Sequence, residues 1–557
     1  MKLRDRIAAL IDGEVQDDAF TRAIYSRDTS IFERAPRVVV FPKNADDVSK
    51  LVTFTHDARN HGENLSVTAR SAGTDMTGGP LTDSISVVFT KHMNHVIEIG
   101  RDPDATDGTG YAIAEPGVYY RDLEKTSLAK YGMIYPAYPA SRDLCAVGGI
   151  VSNNSAGELN LRYGKTDRHV HELDVVLSDG SQVQIHPLSF NELAVKEKEA
   201  TFEGRIYKQI HALIENNKDE IEHARPSVTK NSAGYGLWNV VDEKKRTFDL
   251  NQLIVGSQGT LCFVTSAKLR LITPHAHRAM LVVFLSDLGI LPEIVSRVLK
   301  HEPESFESYD DKTFSLAVHF MPQMLMQMGL FAALKLGIAF IPDIWTVLRG
   351  GVPKLVLLAE FAENTAEEAL EKARMARHSL EGLAVRTRLA KSEAQSAKYW
   401  KVRRESFALL RKNIHGRYAA PFIDDIVVHV KDYPSFLPEL ERLVRGHRFI
   451  YTIAGHIGDG NFHIIPLVKM NGAEDRAEML ELMPKVYALV AKYHGSITGE
   501  HNDGIIRTPY LPTMFSPRMI ELFAEVKRIF DPLGVFNPGK KTGGTFADIE
   551  KYMIKKI

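Results

Sequence analysis

Hydrophobic positions change their period several times along this chain, and the changes divide it. Residues 1–36 read as a polar, helical lead-in. From Arg37 the pattern turns to short β-branched runs separated by helical stretches. A strand over 37–41 is closed by Pro42, and Asn44 or Asp46 caps a helix over 47–59. Strands follow at 65–69, 84–90, 111–115 and 172–177, the last turned back by Asp179-Gly180 into a hairpin with 181–185. Residues 187–230 are charged and helical and carry no recognisable chemistry. Strand character returns at 253–255 and 261–264 and stops at Pro274. Beyond it, strands at 278–285 and 354–361 and helices at 291–300 and 365–380 predict an α+β unit with antiparallel sheet.

One apolar stretch needs a separate reading. Residues 330–348 hold Lys335, Pro342 and Asp343, each costly at a bilayer centre, which argues against a membrane span. With the methionine-rich run 321–328 just before it, the stretch reads as a buried part of the second unit. The alternative is a surface for peripheral membrane contact or for an electron-accepting partner.

A length of 557 residues calls for two or three domains, and 44% hydrophobic with 25% charged residues is a globular profile. The formal net charge of −1 gives no electrostatic case for nucleic acid. Cys145 and Cys262 are the only cysteines, too few for a disulfide framework or a cysteine-held iron–sulfur cluster. A reducing cytoplasm suits them, and no apolar signal-peptide core follows the charged N-terminus.

Candidate chemistry sits late in the chain. Strands at 449–453 and 464–468 flank Gly458-Asp459-Gly460-Asn461. A turn centred there sets 456 opposite 463, placing His456 and His463 on one face with Cβ atoms about 5 Å apart. Two such imidazoles can grip a divalent cation. Glu500, in Gly499-Glu500-His501, would complete three ligands and leave a position open, as in a catalytic site. In a chain with 21 histidines, a pair in a hairpin can also be mere solvent-facing decoration.

Three small-residue loops follow predicted strands or lie beside them. The first is Arg70-Ser71-Ala72-Gly73-Thr74-Asp75-Met76-Thr77-Gly78-Gly79, whose backbone N–H groups can approach a pyrophosphate. It is neither a Walker loop nor Gly-x-Gly-x-x-Gly. The second spans 146–157 and the third Val255-Gly256-Ser257-Gln258-Gly259-Thr260-Leu261. Together they suit a long, multiply phosphorylated cofactor.

At this level of detail residues 37–274 resemble the FAD-binding domain of the vanillyl-alcohol oxidase / p-cresol methylhydroxylase (PCMH-type) flavoproteins. The resemblance is carried by RSAGTDMTGG at 70–79, AEPGVYYRDLEK at 114–125, the run from Tyr138 to Gly180, and LIVGSQGTLCFVTSAKLRL at 253–271. The later part resembles the D-lactate / glycolate / D-2-hydroxyglutarate dehydrogenase branch, through Trp400-Lys401-Val402-Arg403-Arg404-Glu405, GHIGDGNFH at 455–463, GSITGEHNDGIIRTP at 495–509 and DPLGVFNPGKK at 531–541. The implied fold is α+β: a two-subdomain FAD-binding domain over 37–274, a cap domain with antiparallel sheet over 275–470, and a C-terminal segment, 471–557, that returns to the FAD domain and completes the active site.

The resemblance implies FAD held by Arg70, Ser71, Ala72, Gly73, Thr74, Asp75, Thr77, Gly78, Gly79, Pro139, Ser141, Gly148, Gly149, Ser152, Asn153, Asn154, Gly157, Tyr163, Gly164, Gly259, Thr260, Leu261 and Asn537. Thr74 stands where relatives with covalent flavin have histidine, which implies non-covalent FAD. His456, His463 and Glu500 become ligands of zinc or manganese, His501 the general base, and Arg403 the partner of a substrate carboxylate. The implied reaction is oxidation of a D-2-hydroxy acid by hydride transfer to flavin N5. Electrons would leave for an outside acceptor: quinone, cytochrome, electron-transfer flavoprotein or a separate iron–sulfur protein.

Departures tune this. Gln258 replaces a common glutamate, and Asn502-Asp503-Gly504 replaces a commoner Gly-x-Gly, as in members that work with an iron–sulfur partner. Phe422-Ile423-Asp424-Asp425 lacks the lysine that several D-2-hydroxyglutarate enzymes use for the second carboxylate, which favours D-lactate, although Arg417 or Arg507 can take that place. The alternatives are D-2-hydroxyglutarate dehydrogenase and a flavin-binding subunit of a glycolate-oxidase-like complex. An alkylglycerone-phosphate synthase is disfavoured, because no run of consecutive histidines occurs.

Overall fold

The computed structural model describes residues 1–102, 109–311, 351–413, 416–447 and 449–555, with side chains of 405–413 left aside. The apolar stretch 330–348 lies outside the described residues, as does 321–328.

Residues 38–41 (VVVF) and 85–88 (ISVV) are apolar on both faces because both faces are covered. Val38–Phe41 and Val67–Arg70 each pair in parallel with Ile85–Val88. The helix Ala45–Asn60 supplies one of the crossovers, and the Asn44 side chain accepts from the Asp47 amide at its start. The expected lead-in does form helices, Leu3–Ala8 and Ala19–Ile24, and between them Glu14–Gln16 adds an unexpected fourth strand. Only three residues long, it is too short to show a period of two in sequence.

A second, antiparallel sheet orders Val96–Arg101, Gly110–Ala114, Phe263–Leu271, Val170–Val176 and Gln182–Ile185. The hairpin at Asp179-Gly180 forms as expected, with Gly180 at positive φ. The apolar run at 253–255 is not a strand: Asn251–Ile254 is one turn of helix. A short apolar run with no visible alternation does not distinguish the two.

The third sheet is antiparallel and eight-stranded. Its order runs Arg386–Ala390, His277–Leu285, Leu355–Glu363, Ser305–Asp310, Ile450–His456, Asn461–Val468 and Tyr418–Ala419, with Ile426–Val427 also on Asn461–Val468. Side chains of His277–Leu285 alternate. Leu281, Val283 and Leu285 join a core with the helices Leu291–Leu299 and Ala366–Ser379, while Met280, Val282 and Phe284 face Tyr399, Trp400 and Val402 of the helix Glu393–Asn413. That second face looks toward the first two sheets. The end of the chain then folds back: Phe536 bridges Val67, Met553 bridges Phe32, and Asn537 donates to Gly79 and Gln258 carbonyls. Among the described residues, no helix is long and apolar enough to cross a membrane.

Candidate active site

Ala69, Val264 and Ile465, one from each of the three sheets just described, help line a cavity of about 860 Å³. The small-residue loops form one end of it. Ser71, Ala72, Gly73, Thr74, Asp75, Gly79, Pro139, Ser141, Gly148, Gly149, Ser152, Asn153 and Gly259 all reach its wall. Two glycines show why the sequence is so small here. A Cβ on Gly148 would stand 2.7 Å from both Pro116 Cβ and Ser71 Oγ, so the loops cross only over glycine. A Cβ on Gly149 would meet nothing nearer than Ser71 Cβ at 3.8 Å; glycine there keeps the cavity, not the protein, clear. A flat, extended cofactor fits such a wall.

The remaining expected cofactor residues stand behind it as braces. Arg70 donates to the Arg27 carbonyl, Thr77 to Asp75, Tyr163 to Glu304, and Asn154 to Asp167. Gly78 packs under Phe32 and Ile505, Gly157 under the Tyr138 carbonyl, and Gly164 against Arg168. Thr260 bonds Tyr235, Leu261 is fully buried, and Asn537 ties two loops together. Gln258 adopts φ 53° and is clamped among Thr77, Asn153 and the Gly504 amide.

The histidines form the other end. The hairpin register differs from expectation: Ala454 opposes His463 and His456 opposes Asn461, through a one-turn Ile457–Asp459 segment and Gly460 at positive φ. The pairing has slipped by two residues, which preserves the face, so His456 and His463 are diagonal neighbours with ring centroids 5.2 Å apart. Glu500 and His501 arrive from the chain end. Their amides are both held by Asp425 Oδ2, at 2.9 and 2.8 Å.

Three imidazoles converge on one carboxylate oxygen. Nε2 of His456, His463 and His501 lies 3.3, 3.5 and 4.0 Å from Glu500 Oε1. The opposite nitrogens are anchored by acids that sequence reasoning missed. His456 Nδ1 is 2.6 Å from Glu307 Oε1 and His463 Nδ1 is 3.1 Å from Asp424 Oδ1, both hydrogen-bonded, while His501 Nδ1 stands 2.9 Å from Asp424 Oδ2 as an ion pair without hydrogen-bond alignment. A carboxylate on one ring nitrogen fixes the tautomer that leaves the other as a ligand or base. The atoms of His456, His463 and Glu500 lie close enough together to hold one metal ion. The donor set therefore fits a divalent cation.

The electrostatics are those of a buried, mutually compensated cluster. Burial opposes ionisation of Glu307, yet His456 and Arg403 hold its carboxyl at about 2. Burial likewise opposes a charged His463, but Asp424 and Glu500 push it up to about 10. Asp424, opposed by burial, is held well below the usual carboxylate range by His501 and His463.

Arg403 lines the cavity beside this cluster, with Nε and Nη2 at 3.1 and 3.0 Å from Glu307 Oε2. Arg404 also lines it, paired with Glu158. Arg507 does not take a substrate carboxylate: it is fully buried and donates to the Asp424 and Asn502 carbonyls. Arg417 reaches the Leu467 carbonyl. Ile423 is core. The segment before 231, set aside as chemically empty, instead delivers Lys230, fully buried with Nζ 2.8 Å from Glu500 Oε2. Nothing in a lone lysine of a charged stretch could have marked it.

An FAD binding domain model matches residues 36–186, and the model of the C-terminal domain of FAD linked oxidases matches 274–541. The chain is 29% identical over 546 residues to a D-2-hydroxyglutarate dehydrogenase of Stutzerimonas stutzeri, covering 97% of this chain and 98% of that protein. It is 27% identical over 538 residues to one of Pseudomonas putida, covering 95% of this chain and spanning 50% of that protein's length. Among solved structures, 4-ethylphenol oxidase from Gulosibacter chungangensis superposes with TM-score 0.67 at 15% identity, covering 98% of this chain and 97% of that one, a likeness of fold.

Proposed function

This chain belongs to the FAD-linked oxidases, carrying both their FAD-binding and their C-terminal domain, and from that premise we propose that it oxidises a D-2-hydroxy acid to the 2-oxo acid with the help of a divalent cation. The single observation that carries the reading is the convergence of three acid-anchored histidines on Glu500 Oε1 at one end of a glycine-walled cavity. FAD would accept the hydride, and a cation on His456, His463 and Glu500, zinc or manganese, would acidify the substrate hydroxyl.

The protein's own groups do the rest. Arg403, aligned by Glu307, receives the carboxylate and sets Cα toward the glycine-walled end. His501 takes the hydroxyl proton at Nε2, since Asp424 stabilises the imidazolium through Nδ1. Buried Asp425 fixes the backbone that places both Glu500 and His501.

D-lactate is the first substrate to try, because Ile423 is core and Arg507 is turned to backbone carbonyls, leaving position 423 without a cation for a second carboxylate. The second reading, D-2-hydroxyglutarate, is favoured by the names of the relatives and by Arg404 on the cavity wall. The test is anaerobic titration of the purified flavoprotein, before and after chelation, with both D-acids and their L-enantiomers. Flavin bleaching by a D-acid, lost on chelation and restored by the ion, is expected. Bleaching that ignores chelation, or none by either acid, sinks it. The electron acceptor is proposed to be an external carrier rather than NAD.

A further inference from the structure

Glu500 presents its two oxygens to two different charges. Oε1 faces the three imidazole Nε2 atoms, whereas Oε2 lies 2.8 Å from Lys230 Nζ. Lys230 is completely buried, and its other near neighbours are Asn461 Oδ1 at 3.4 Å and Asp459 Oδ2 at 3.7 Å. Asp459 is itself held by Asn160, and Asn461 by Asp425 and the Ile426 carbonyl. The ammonium therefore cannot swing away without stranding buried charge. The next residues carry the same strap forward, with Ser232 on the Gly499 carbonyl.

We propose that Lys230 is the residue that sets cation specificity in this site, by occupying Glu500 Oε2 and so restricting Glu500 to ligation through Oε1 alone. The inference rests on the cation reading given above and deepens it. One oxygen from Glu500 and two imidazoles make three ligands with an open position, the arrangement that suits zinc. Freeing the second oxygen would make a two-oxygen carboxylate, which favours cations that take more and harder ligands, manganese and calcium among them. Removing the ammonium also removes positive charge beside the ion, so affinity itself need not fall. The ratio of affinities is what Lys230 sets.

The experiment compares the full chain, FAD-loaded, with Lys230→Met, whose side chain fills similar space without charge. Zinc and manganese dissociation constants are measured separately by chelator competition. In Lys230→Met the preference for zinc over manganese is expected to fall by about tenfold or more. An unchanged ratio in a folded variant overturns the proposal. Should Lys230→Met fail to fold, the wild-type protein decides alone. A structure of its manganese-loaded form is expected to show one Glu500 oxygen bound, and both oxygens bound overturns the assignment. His456→Ala separates the two claims: if it binds zinc as tightly as wild type, the cation reading itself has failed, whatever Lys230 does.

Discussion

The two ends of the cavity are built from opposite materials. At one end the wall is backbone and small side chains, shaped by what is missing, as at Gly149. At the other it is made of ionised groups that are costly to bury, each offset by a partner: Glu307 with His456 and Arg403, Asp424 with His463 and His501, Lys230 with Glu500. The first end should fail by being filled, and the second by losing a charge. A long apolar-and-phosphate cofactor needs shape and amides. Acidifying a hydroxyl needs fixed charge that does not reorganise.

The largest effect tests the charged end. Glu500→Gln is expected to weaken cation binding by more than about 100-fold and to abolish measurable turnover while leaving the flavin spectrum intact. Glu307→Gln touches no proposed ligand oxygen, yet should cost about 10–100-fold in cation affinity through the freed His456 ring. Chelator competition and visible absorbance read both. Parallel loss of flavin from Glu500→Gln would show that the two ends are not independent.

The complementary break is Gly149→Leu. Because a Cβ there meets only Ser71 Cβ, at an ordinary contact distance of 3.8 Å, the flavin-free variant should melt within about 2 °C of wild type. The added side chain would instead occupy the cofactor's side of the wall, with FAD bound at least about tenfold more weakly. Fluorescence of released flavin measures this. Equal FAD affinity would remove Gly149 from the proposed cofactor wall.

These ends also differed in how far they could be read from sequence. The loops were visible because glycine runs after strands are rare and conformationally explicit. The histidine pair was visible because a two-residue register slip keeps side chains on the same face, so even a misplaced turn gave the right neighbours. The acids behind the histidines were not. In Ser305–Asp310 every residue is buried, but four of the six are polar, so the strand reads as one facing water and Glu307 as surface. Lys230 sat in a stretch dismissed as a charged helix region, and Asp424 was noticed only for the lysine missing beside it. Buried charge has no sequence signature, since its partners come from residues 39 to 270 positions away. The strand Glu14–Gln16 and the turn Asn251–Ile254 were misread for a simpler reason: three or four residues do not define a period.

A smaller effect follows from protonation. His463 titrates at about 10 in the cation-free fold against an ordinary 6.5, so its contribution to stability is complete below about 6.5 and is lost as pH rises through about 10. Cation-free protein should therefore melt at progressively lower temperature across that interval. Cation affinity should rise over the same interval, because binding must displace the proton from His463. Asp424 contributes oppositely, with stability lost only as pH falls below the carboxylate range. Scanning calorimetry of chelated protein between pH 6.5 and 10 checks the sign. A melting temperature that climbs would mean that His463 is neutral in the cation-free fold.

The smallest effect calibrates the rest. Thr365 and Glu368 form a reciprocal cap on the helix Ala366–Ser379, with Thr365 Oγ1 accepting from the Glu368 amide at 3.2 Å and the Glu368 carboxylate accepting from the Thr365 amide at 3.1 Å. This helix packs on the sheet face opposite to the one that carries Trp400, so the cap supports the cap sheet without touching either end of the cavity. Thr365→Ala should lower stability by about 1 kcal/mol and change neither FAD content nor cation affinity. Both end-specific variants gain meaning from it. If a purely global loss of about that size moved flavin or cation binding, the effects at Gly149 and Glu307 would report stability rather than site chemistry. If it moves neither, a tenfold change at one end is local, and the division of the cavity into a wall made of space and a wall made of charge stands as a functional one.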